Sequence, residues 1–283
     1  MALEKQEAGA PRDNEALERE NQKLRLELET LRMEKAHVEE EIAMVVNMRY
    51  HLMPDQYPMF PDLPEVDIYA DQIGLAQVGG DFFDYFRIDA DHIGIVIADI
   101  FDGGNAAALY MAIFKLYLAG ELSMGFSVSE IIGVVNNRLA RSNEDNLSLS
   151  AWYGVYEIST GKITAVNAGH ESPLIRNKDG IAKPVNEVMS YPLAVIEGIR
   201  YTSYEFTLEP GDQMLLYTDG AVEAVNSSGE PFSEELMKRV LLDCKEENAD
   251  GIVGALQEAF FSHVGEEPLK DDASFLCLQR KKA

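Results

Sequence analysis

The sequence lacks the features that would cross-link a chain, anchor it in a membrane or export it. Cysteine occurs only twice, as Cys244 and Cys277, and both lie in predominantly apolar runs without the spacing of a metal site or a disulfide framework. No apolar run approaches the length of a membrane span, and the N-terminus lacks the basic-then-apolar pattern of a signal peptide. We therefore expect a cytoplasmic protein with reduced thiols and no membrane contact in this chain.

Positive charge is also scarce. The 283 residues include 24 lysines and arginines against 49 aspartates and glutamates, so the formal net charge is −25. A protein whose main partner is nucleic acid presents a basic face to the phosphate backbone, so this composition argues against such a partner. With 46% hydrophobic side chains the chain can bury a full core, and one large domain plus an appendage is the simplest organisation.

The N-terminal segment differs from the rest of the chain. Residues 1–14 are polar and are predicted to be disordered, and residues 15–50 carry a heptad repeat typical of a coiled-coil or linker helix. The d positions are Leu17, Leu24, Leu31, Val38 and Val45, and the a positions are Asn21, Leu28, Lys35 and Ile42. Asparagine at an a position favours a parallel, in-register pair. We predict a parallel homodimer through residues 17–45; the alternative is a surface helix packed on its own domain.

A proline-rich connection over residues 51–65 leads into a region, 66–281, of strand pairs with two central helices and two late ones. The predicted strands are residues 66–73, 82–88, 93–99, 149–157, 162–168, 172–176, 201–208, 213–218 and 273–280. The predicted helices are residues 105–121, a segment after Ser127 that ends near Arg141, 233–242 and 249–263. This order indicates an α+β fold of two packed antiparallel sheets flanked by helices.

A row of aspartates lies at the ends of the strand-like runs, two of them directly beside glycine. Its members are Asp81, Asp84, Asp99, Asp219, Asp271 and Asp272. Carboxylates in such positions are partly desolvated and close to one another's charge, which is costly unless a cation lies between them. Mg²⁺ and Mn²⁺ prefer oxygen ligands of this kind. The pattern therefore suggests a metal-centred hydrolase.

Seven short motifs, four of which contain these aspartates, occur in a recognisable order. They are G-G-D-F-F-D, I-A-D-I, A-A-A-L-Y-M-A, N-A-G-H, L-E-P-G-D, Y-T-D-G-A-V-E-A and D-D-A-S. Each motif alone is weak, but the set in this order and spacing is strong. Over residues 46–280 the chain resembles the bacterial sporulation stage II E-type serine phosphatases, which belong to the wider metal-dependent class of protein phosphatase 2C. The resemblance implies the protein phosphatase 2C-like αββα sandwich.

The resemblance also implies a site with two Mn²⁺ or Mg²⁺ ions, with a third ion as an open alternative. Asp99 matches the aspartate that bridges the two metals, and the carbonyl of Ile100 matches a backbone ligand. Asp219 and Asp271 match carboxylates on one metal, and Asp81 resembles the acidic ligand nearer the other. Two cations about 4 Å apart can activate a shared water for attack on phosphorus. Asp99 and Asp219 are accordingly the catalytic candidates, and no protein nucleophile is required.

The implied substrate is phosphoserine or phosphothreonine on a regulatory protein of the anti-sigma-factor-antagonist type. The implied regulation runs through the coiled coil, whose residues 35–50 are expected to move the helix at 105–121 or the late helices. His170 is a weaker candidate for a general acid, since a Gly-His pair at a strand end is more often a turn residue. Asp84 and Asp272 are expected either to orient a ligand or to be solvated.

The run from Phe101 to Asn105 departs from the family. Asp102 stands where glycine is usual, Gly103 where lysine is common, and phenylalanine replaces a small polar residue. An added carboxylate can supply a metal ligand or repel a phosphate. Two functions therefore stay open: an active phosphatase, or a catalytically weakened phosphatase-fold scaffold that binds a signalling partner without turnover. A nuclease is disfavoured because the sequence shows no basic groove.

Overall fold

A computed structural model describes residues 10–74, 79–101, 104–122, 125–144, 146–177, 180, 182–185 and 188–282, with the backbone alone for 10–15, 104 and 105. Two compact units divide the chain, residues 1–45 and residues 46–283. No helix among the described residues is long and apolar enough to cross a membrane.

The first unit consists of helix α1 (Ala10–Tyr50), which continues into the second unit. The helix includes residues 10–14, which the polar composition predicted to be disordered; residues 1–9 lie outside the described part of the chain. Pro11 lies in the first turn, where its missing N–H is tolerated. Leu17, Leu24 and Leu31 of the heptad repeat are 54%, 56% and 61% exposed, so the predicted seam lies open to solvent in the single chain.

The second unit contains ten strands and five further helices within the described residues. The strands are β1 (Val66–Ile73), β2 (Phe82–Arg87), β3 (His92–Phe101), β4 (Ser148–Glu157), β5 (Lys162–Ala168), β6 (Leu174–Arg176), β7 (Ala182–Pro184), β8 (Tyr204–Thr207), β9 (Gln213–Tyr217) and β10 (Ala273–Arg280). The helices are α2 (Gly104–Leu122), α3 (Val128–Arg141), α4 (Asp219–Glu223), α5 (Glu234–Asp243) and α6 (Ala249–Val264).

The strands form two five-stranded sheets, and all paired strands are antiparallel. The first sheet has the order β1-β10-β9-β6-β7, and the second has the order β2-β3-β4-β5-β8. The first and last strands of region 66–281 are therefore paired with each other. Strand β1 runs antiparallel to β10, from Val66↔Arg280 to Ile73↔Ala273. The central strands β3 and β10 are almost entirely buried, as expected for strands covered on both faces.

Helices cover the outer face of each sheet. Ring packing of Phe114 on Phe82 places α2 against β2, and the apolar stripe of α3 contacts β4 and β5. On the other side, α6 packs on β1 and β10, and Phe260 meets Phe275 edge to face. Helix α3 begins where its sequence predicts, because Ser127 and Glu130 form a reciprocal capping box.

The predicted fold class is therefore confirmed: two antiparallel sheets are packed together and flanked by helices. Two elements were missing from the prediction. Strand β7 has only three residues and includes a proline, and α4 is a single short turn that begins at Asp219. Neither is long enough to show a hydrophobic period.

Candidate metal centre

The aspartates predicted to bind metal lie near one another, at the edge where strand ends of the two sheets meet. Asp81 directly precedes β2, and Asp99 lies near the end of β3, both in the second sheet. Asp219 follows β9, and Asp271 precedes β10, both in the first sheet. Antiparallel neighbours bring the start of one strand beside the end of the next, so four separate segments converge on one edge.

Asp81 is fully buried and is held by two hydroxyl groups. The Oγ1 of Thr218 and the Oγ of Ser274 each donate a hydrogen bond to Oδ2 of Asp81, at 2.6 and 2.7 Å. The other oxygen, Oδ1, is buried and has no hydrogen-bond partner among the described residues. Burial and the neighbouring charge of Asp99 raise the pKa of Asp81 well above its usual range. An unpaired, buried carboxylate oxygen is costly unless a cation or donor completes it.

Asp99 lies within range of the charges of several other carboxylates. It is 3% exposed, and burial raises its pKa to about 7, with further contributions from the charges of Asp219, Asp271 and Asp272. Asp99, in the second sheet, is therefore close to three aspartates of the first sheet. The charges of three carboxylates that all act on Asp99 form a region of negative potential, which a divalent cation would relieve.

Asp219 and Asp271 lie at the more open side of the site. Burial is the main cause that raises the pKa of each. The carboxylate of each accepts a hydrogen bond from the next backbone amide, Gly220 N–H to Asp219 Oδ1 and Asp272 N–H to Asp271 Oδ1, both at 2.8 Å. These local bonds orient the two carboxylates but leave oxygens free to bind a ligand.

Glycines allow the converging segments to approach closely. A Cβ atom at Gly80 would lie 2.3 Å from the carbonyl oxygen of Ile100 and 2.6 Å from Oδ1 of Asp99. A Cβ atom at Gly220 would lie 2.0 Å from the carbonyl oxygen of Asp272. Side chains at either position would push the predicted ligands apart, so both glycines are required by space.

The donors present suit a hard divalent cation. The predicted ligands are carboxylate and carbonyl oxygens, and the orphaned Oδ1 of Asp81 is a buried acceptor without a donor. Within the described residues, no three His, Cys, Asp or Glu side chains are gathered closely enough to form a complete ligand group. The residues therefore fit a metal by the chemistry of their oxygen donors, although the described side chains are not gathered into a complete set of ligands.

Asp272, which the sequence left between an orienting role and a solvated one, is completely buried. Nη2 of Arg49 donates to Oδ2 of Asp272 at 2.6 Å, and the Nε2 of Gln72 donates to the same oxygen at 3.2 Å. Asp84 is also buried and pairs with Lys115 of α2 at 2.8 Å. Both aspartates are therefore engaged with cations of the protein.

Arg49, Thr218 and Ser274 were not among the predicted site residues. The two hydroxyl residues are neighbours of predicted ligands within T-D-G and D-D-A-S, so their positions were a usable signal. Arg49 and its partner Asp272 are 223 residues apart in the sequence, so no local pattern predicts that pair.

His170 is a buried turn residue rather than a solvent-facing acid. Its Nδ1 lies 2.8 Å from the Oγ of Ser150, and its backbone N–H donates to Oδ1 of Asn167 at 2.7 Å. Burial lowers its pKa to about 4, so the ring is neutral at pH 7. Of the unusual run after Asp99, Asp102 and Gly103 lie outside the described residues, and Phe101 is 39% exposed.

Comparison with known proteins gives a family and a fold. The family described as Stage II sporulation protein E (SpoIIE) matches residues 89–281. The chain is 24% identical over 247 residues to Protein IcfG of Synechocystis and 24% identical over 247 residues to the phosphoserine phosphatase RsbU of Bacillus subtilis. The aligned segment covers 78% of this chain and 39% of IcfG, and 86% of this chain and 71% of RsbU.

Solved structures share the fold. The SiaA phosphatase 2C domain of Pseudomonas aeruginosa superimposes with a TM-score of 0.74 at 17% identity, covering 87% of this chain and 98% of that domain. The RsbU and RsbW domains of a Mycobacterium tuberculosis protein give a TM-score of 0.64 at 25% identity, covering 77% of this chain and 61% of that one. The catalytic domain of the serine/threonine protein phosphatase PstP, solved with two manganese ions, gives 0.56 at 13% identity, covering 77% and 100%.

The family match extends over more than half of the chain and includes three of the four predicted carboxylate ligands, Asp99, Asp219 and Asp271. The chain therefore belongs to the stage II sporulation protein E family, with the fold of the protein phosphatase 2C class.

Proposed function

We propose that this protein is a metal-dependent protein serine/threonine phosphatase. The observation that carries the proposal is the convergence of carboxylates from both sheets, at which the buried Asp99 senses the charges of Asp219 and Asp271 while one oxygen of the buried Asp81 has no hydrogen-bond partner among the described residues. The phosphoserine phosphatase activity named for RsbU supports the same chemistry in a relative that covers most of this chain.

The metal ligands in this proposal are the carboxylates of Asp81, Asp99, Asp219 and Asp271 and the carbonyl oxygen of Ile100. When bound, two Mn²⁺ or Mg²⁺ ions supply Lewis acidity toward the phosphoryl group and an activated water. The two manganese ions in PstP and its shared fold support this choice of metal.

The chain's own residues prepare the ligands. The hydroxyl groups of Thr218 and Ser274 hold Oδ2 of Asp81, so Oδ1 is the oxygen that is presented to a cation. The close packing at Gly80 keeps the Ile100 carbonyl beside the carboxylate of Asp99. These contacts fix the Asp81 carboxylate and the Ile100 carbonyl before any ligand arrives.

The proposed substrate is a phosphoserine or phosphothreonine on a regulatory protein of the anti-sigma-factor-antagonist type. The M. tuberculosis relative, which has RsbU and RsbW domains in one protein, supports a role in a signalling system of that kind. The net charge of −25 favours a substrate protein whose docking face is not itself strongly acidic.

Regulation is proposed to act through a parallel homodimer of α1. The support is the exposed heptad stripe of Leu17, Leu24 and Leu31, together with Asn21 at an a position. A change in the C-terminal part of this helix is proposed to reach the catalytic unit, because α1 continues beyond residue 45 into that unit.

The test is phosphate release from p-nitrophenyl phosphate and from a phosphoserine protein, with Mn²⁺ titrated, for the wild type and Asp219→Asn. We expect metal-dependent turnover in the wild type and a loss of at least a hundredfold in the variant, since the substitution removes a ligand charge. Asp212→Asn, a buried aspartate of the turn before β9, is the matched control and should keep its turnover.

The unusual run 101–105 favours a second candidate, a scaffold of the same fold that binds a partner without turnover. Folded wild-type protein that releases no phosphate at saturating Mn²⁺ would make this candidate the leading one. Restoring the family pattern with Asp102→Gly and Gly103→Lys should then restore turnover.

A further inference from the structure

The end of helix α1 is attached to the site by a buried ion pair. Arg49 is 1% exposed and Asp272 is 0% exposed, although both carry charge. Nη2 of Arg49 donates to Oδ2 of Asp272 and to Oε1 of Gln72, each at 2.6 Å. Gln72 in turn donates its Nε2 to Oδ2 of Asp272 at 3.2 Å, so the three side chains form a closed triangle. Buried charges are retained where they are paired and hydrogen-bonded.

The triangle connects directly to a predicted metal ligand. The backbone N–H of Asp272 donates to Oδ1 of Asp271, so the position of residue 272 sets the orientation of the Asp271 carboxylate. The surroundings leave Asp272 little freedom: a Cβ atom at Gly79 would lie 1.8 Å from Oδ2 of Asp272, and one at Gly220 would lie 2.0 Å from its carbonyl oxygen.

A second cation holds the chain just beyond Arg49. Nζ of Lys115 on α2 donates to the carbonyl oxygen of Leu52 at 2.6 Å and pairs with Asp84 at 2.8 Å. The segment from Arg49 to Leu52 is therefore fixed at two points, one beside β10 and one beside α2. A displacement of the end of α1 would have to break or carry along both contacts.

We propose that Arg49 is a positioning residue of the metal centre: through Asp272 and Gln72 it fixes the start of β10 and thereby holds the carboxylate of Asp271 in its ligand position. This inference rests on the proposed metal-dependent function and adds the residue by which α1 controls the site. Breaking the Arg49–Asp272 contact leaves Asp271 without its support and weakens metal binding.

Two other roles of Arg49 make different predictions. A guanidinium that acted only as a counter-charge would oppose a bound cation, so its removal would tighten metal binding. A guanidinium that only stabilised the fold would lower the thermal midpoint without changing the metal affinity of the folded protein. Metal affinity, measured separately from stability, therefore distinguishes the three roles.

The experiment is isothermal titration of the full chain with Mn²⁺ in the absence of substrate, alongside thermal unfolding in EDTA. Gln72→Ala breaks two sides of the triangle without changing any charge, and Arg49→Met removes the guanidinium. Arg141→Gln is the control, because Arg141 is an exposed arginine that pairs with Glu197 on the surface. We expect Kd for Mn²⁺ to rise about threefold to tenfold in Gln72→Ala and at least tenfold in Arg49→Met, and to stay within twofold in Arg141→Gln.

An unchanged or lower Kd in folded Arg49→Met, with the wild type binding Mn²⁺, would overturn the proposal, whatever happens to its thermal midpoint. If Arg49→Met does not fold, Gln72→Ala and Arg49→Lys decide the question, since neither leaves a buried carboxylate without a cation. Wild-type protein that binds no Mn²⁺ would instead remove the metal centre on which the inference rests. Wild-type binding with no difference among the variants would remove this inference alone.

Discussion

At the scale of single residues, Gly80 shows how little space the site leaves for a side chain. Its lack of a side chain lets the backbone before β2 lie against the Ile100 carbonyl and the Asp99 carboxylate. A methyl group there would meet backbone as well as a side-chain oxygen, and the strand ends would have to separate.

Gly80→Ala is therefore expected to lose stability by about 1–3 kcal/mol and to bind Mn²⁺ more weakly. The matched control is Gly133→Ala on α3, where an added Cβ meets nothing within 4 Å and helix propensity favours alanine. Urea unfolding measures the first effect and metal titration the second. Equal behaviour of the two variants would contradict the steric argument.

His170 gives a prediction about pH. Its pKa in the folded protein is about 4, against about 6.5 for an unfolded chain, because burial disfavours the charged ring. Between pH 6.5 and pH 4 the unfolded chain binds the extra proton, so stability that is fully present above pH 6.5 is lost as the pH falls. The full loss is about 3 kcal/mol.

The variant His170→Gln isolates this contribution. Asp99 acts in the opposite direction, since its folded pKa of about 7 lies above its ordinary value and the folded state binds the proton first as the pH falls. The comparison of wild type and variant by urea unfolding at pH 7 and pH 4.5 cancels that effect. We expect the wild type to lose more stability than His170→Gln; parallel losses would show that the ring is not buried as a neutral group.

At the scale of elements, the d and f positions of the heptad repeat in helix α1 can be tested separately. Its d positions Leu24 and Leu31 lie in the predicted seam, whereas Leu26 and Met33 occupy f positions on the opposite side of the heptad, and all four are exposed in the single chain. Exposure alone therefore does not distinguish a dimer seam from a solvated helix face; the heptad position does.

The double substitution Leu24→Asp and Leu31→Asp is expected to convert a dimer to a monomer and to change phosphatase turnover. Leu26→Asp and Met33→Asp add the same charges outside the seam and should leave the dimer intact. Analytical ultracentrifugation gives the mass in each case. A monomeric wild type, or equal effects of both pairs, would contradict the proposed coiled-coil dimer.

Elements with a clear period or cap were predictable from the sequence, and short ones were not. Helix α3 was found through Ser127, and β1, β5 and β10 through their apolar runs between turn residues. Strand β7 and helix α4 have three and five residues, so they form because their neighbours hold them in place. The start of α1 at Ala10 was missed because polar composition was given more weight than the continuing helix.

The residues of the candidate site also divide into those that could be predicted from the sequence and those that could not. Asp81, Asp99, Asp219 and Asp271 could be proposed as ligands because each lies in a motif that resembles the family's. Arg49 and Gln72 could not, since their partner Asp272 is contributed by the far end of the chain. Contacts between segments so distant follow from the packing of the two sheets and leave no local pattern.

At the scale of the whole molecule, the clustering of aspartates at one edge of the sandwich is the feature that indicates a function. Negative charge on the surface, which contributes to the net charge of −25, mainly causes repulsion between molecules. Several aspartates that are buried together destabilise the fold unless a cation lies between them. The central claim is therefore that divalent metal occupies this edge.

The most direct measurement is a crystal structure grown with Mn²⁺ and recorded at the manganese absorption edge. Anomalous peaks ligated by Asp99, Asp219, Asp271, Asp81 and the carbonyl oxygen of Ile100 are the predicted result. A well-ordered site without a manganese peak among these oxygens, at a Mn²⁺ concentration that saturates activity, would contradict the account.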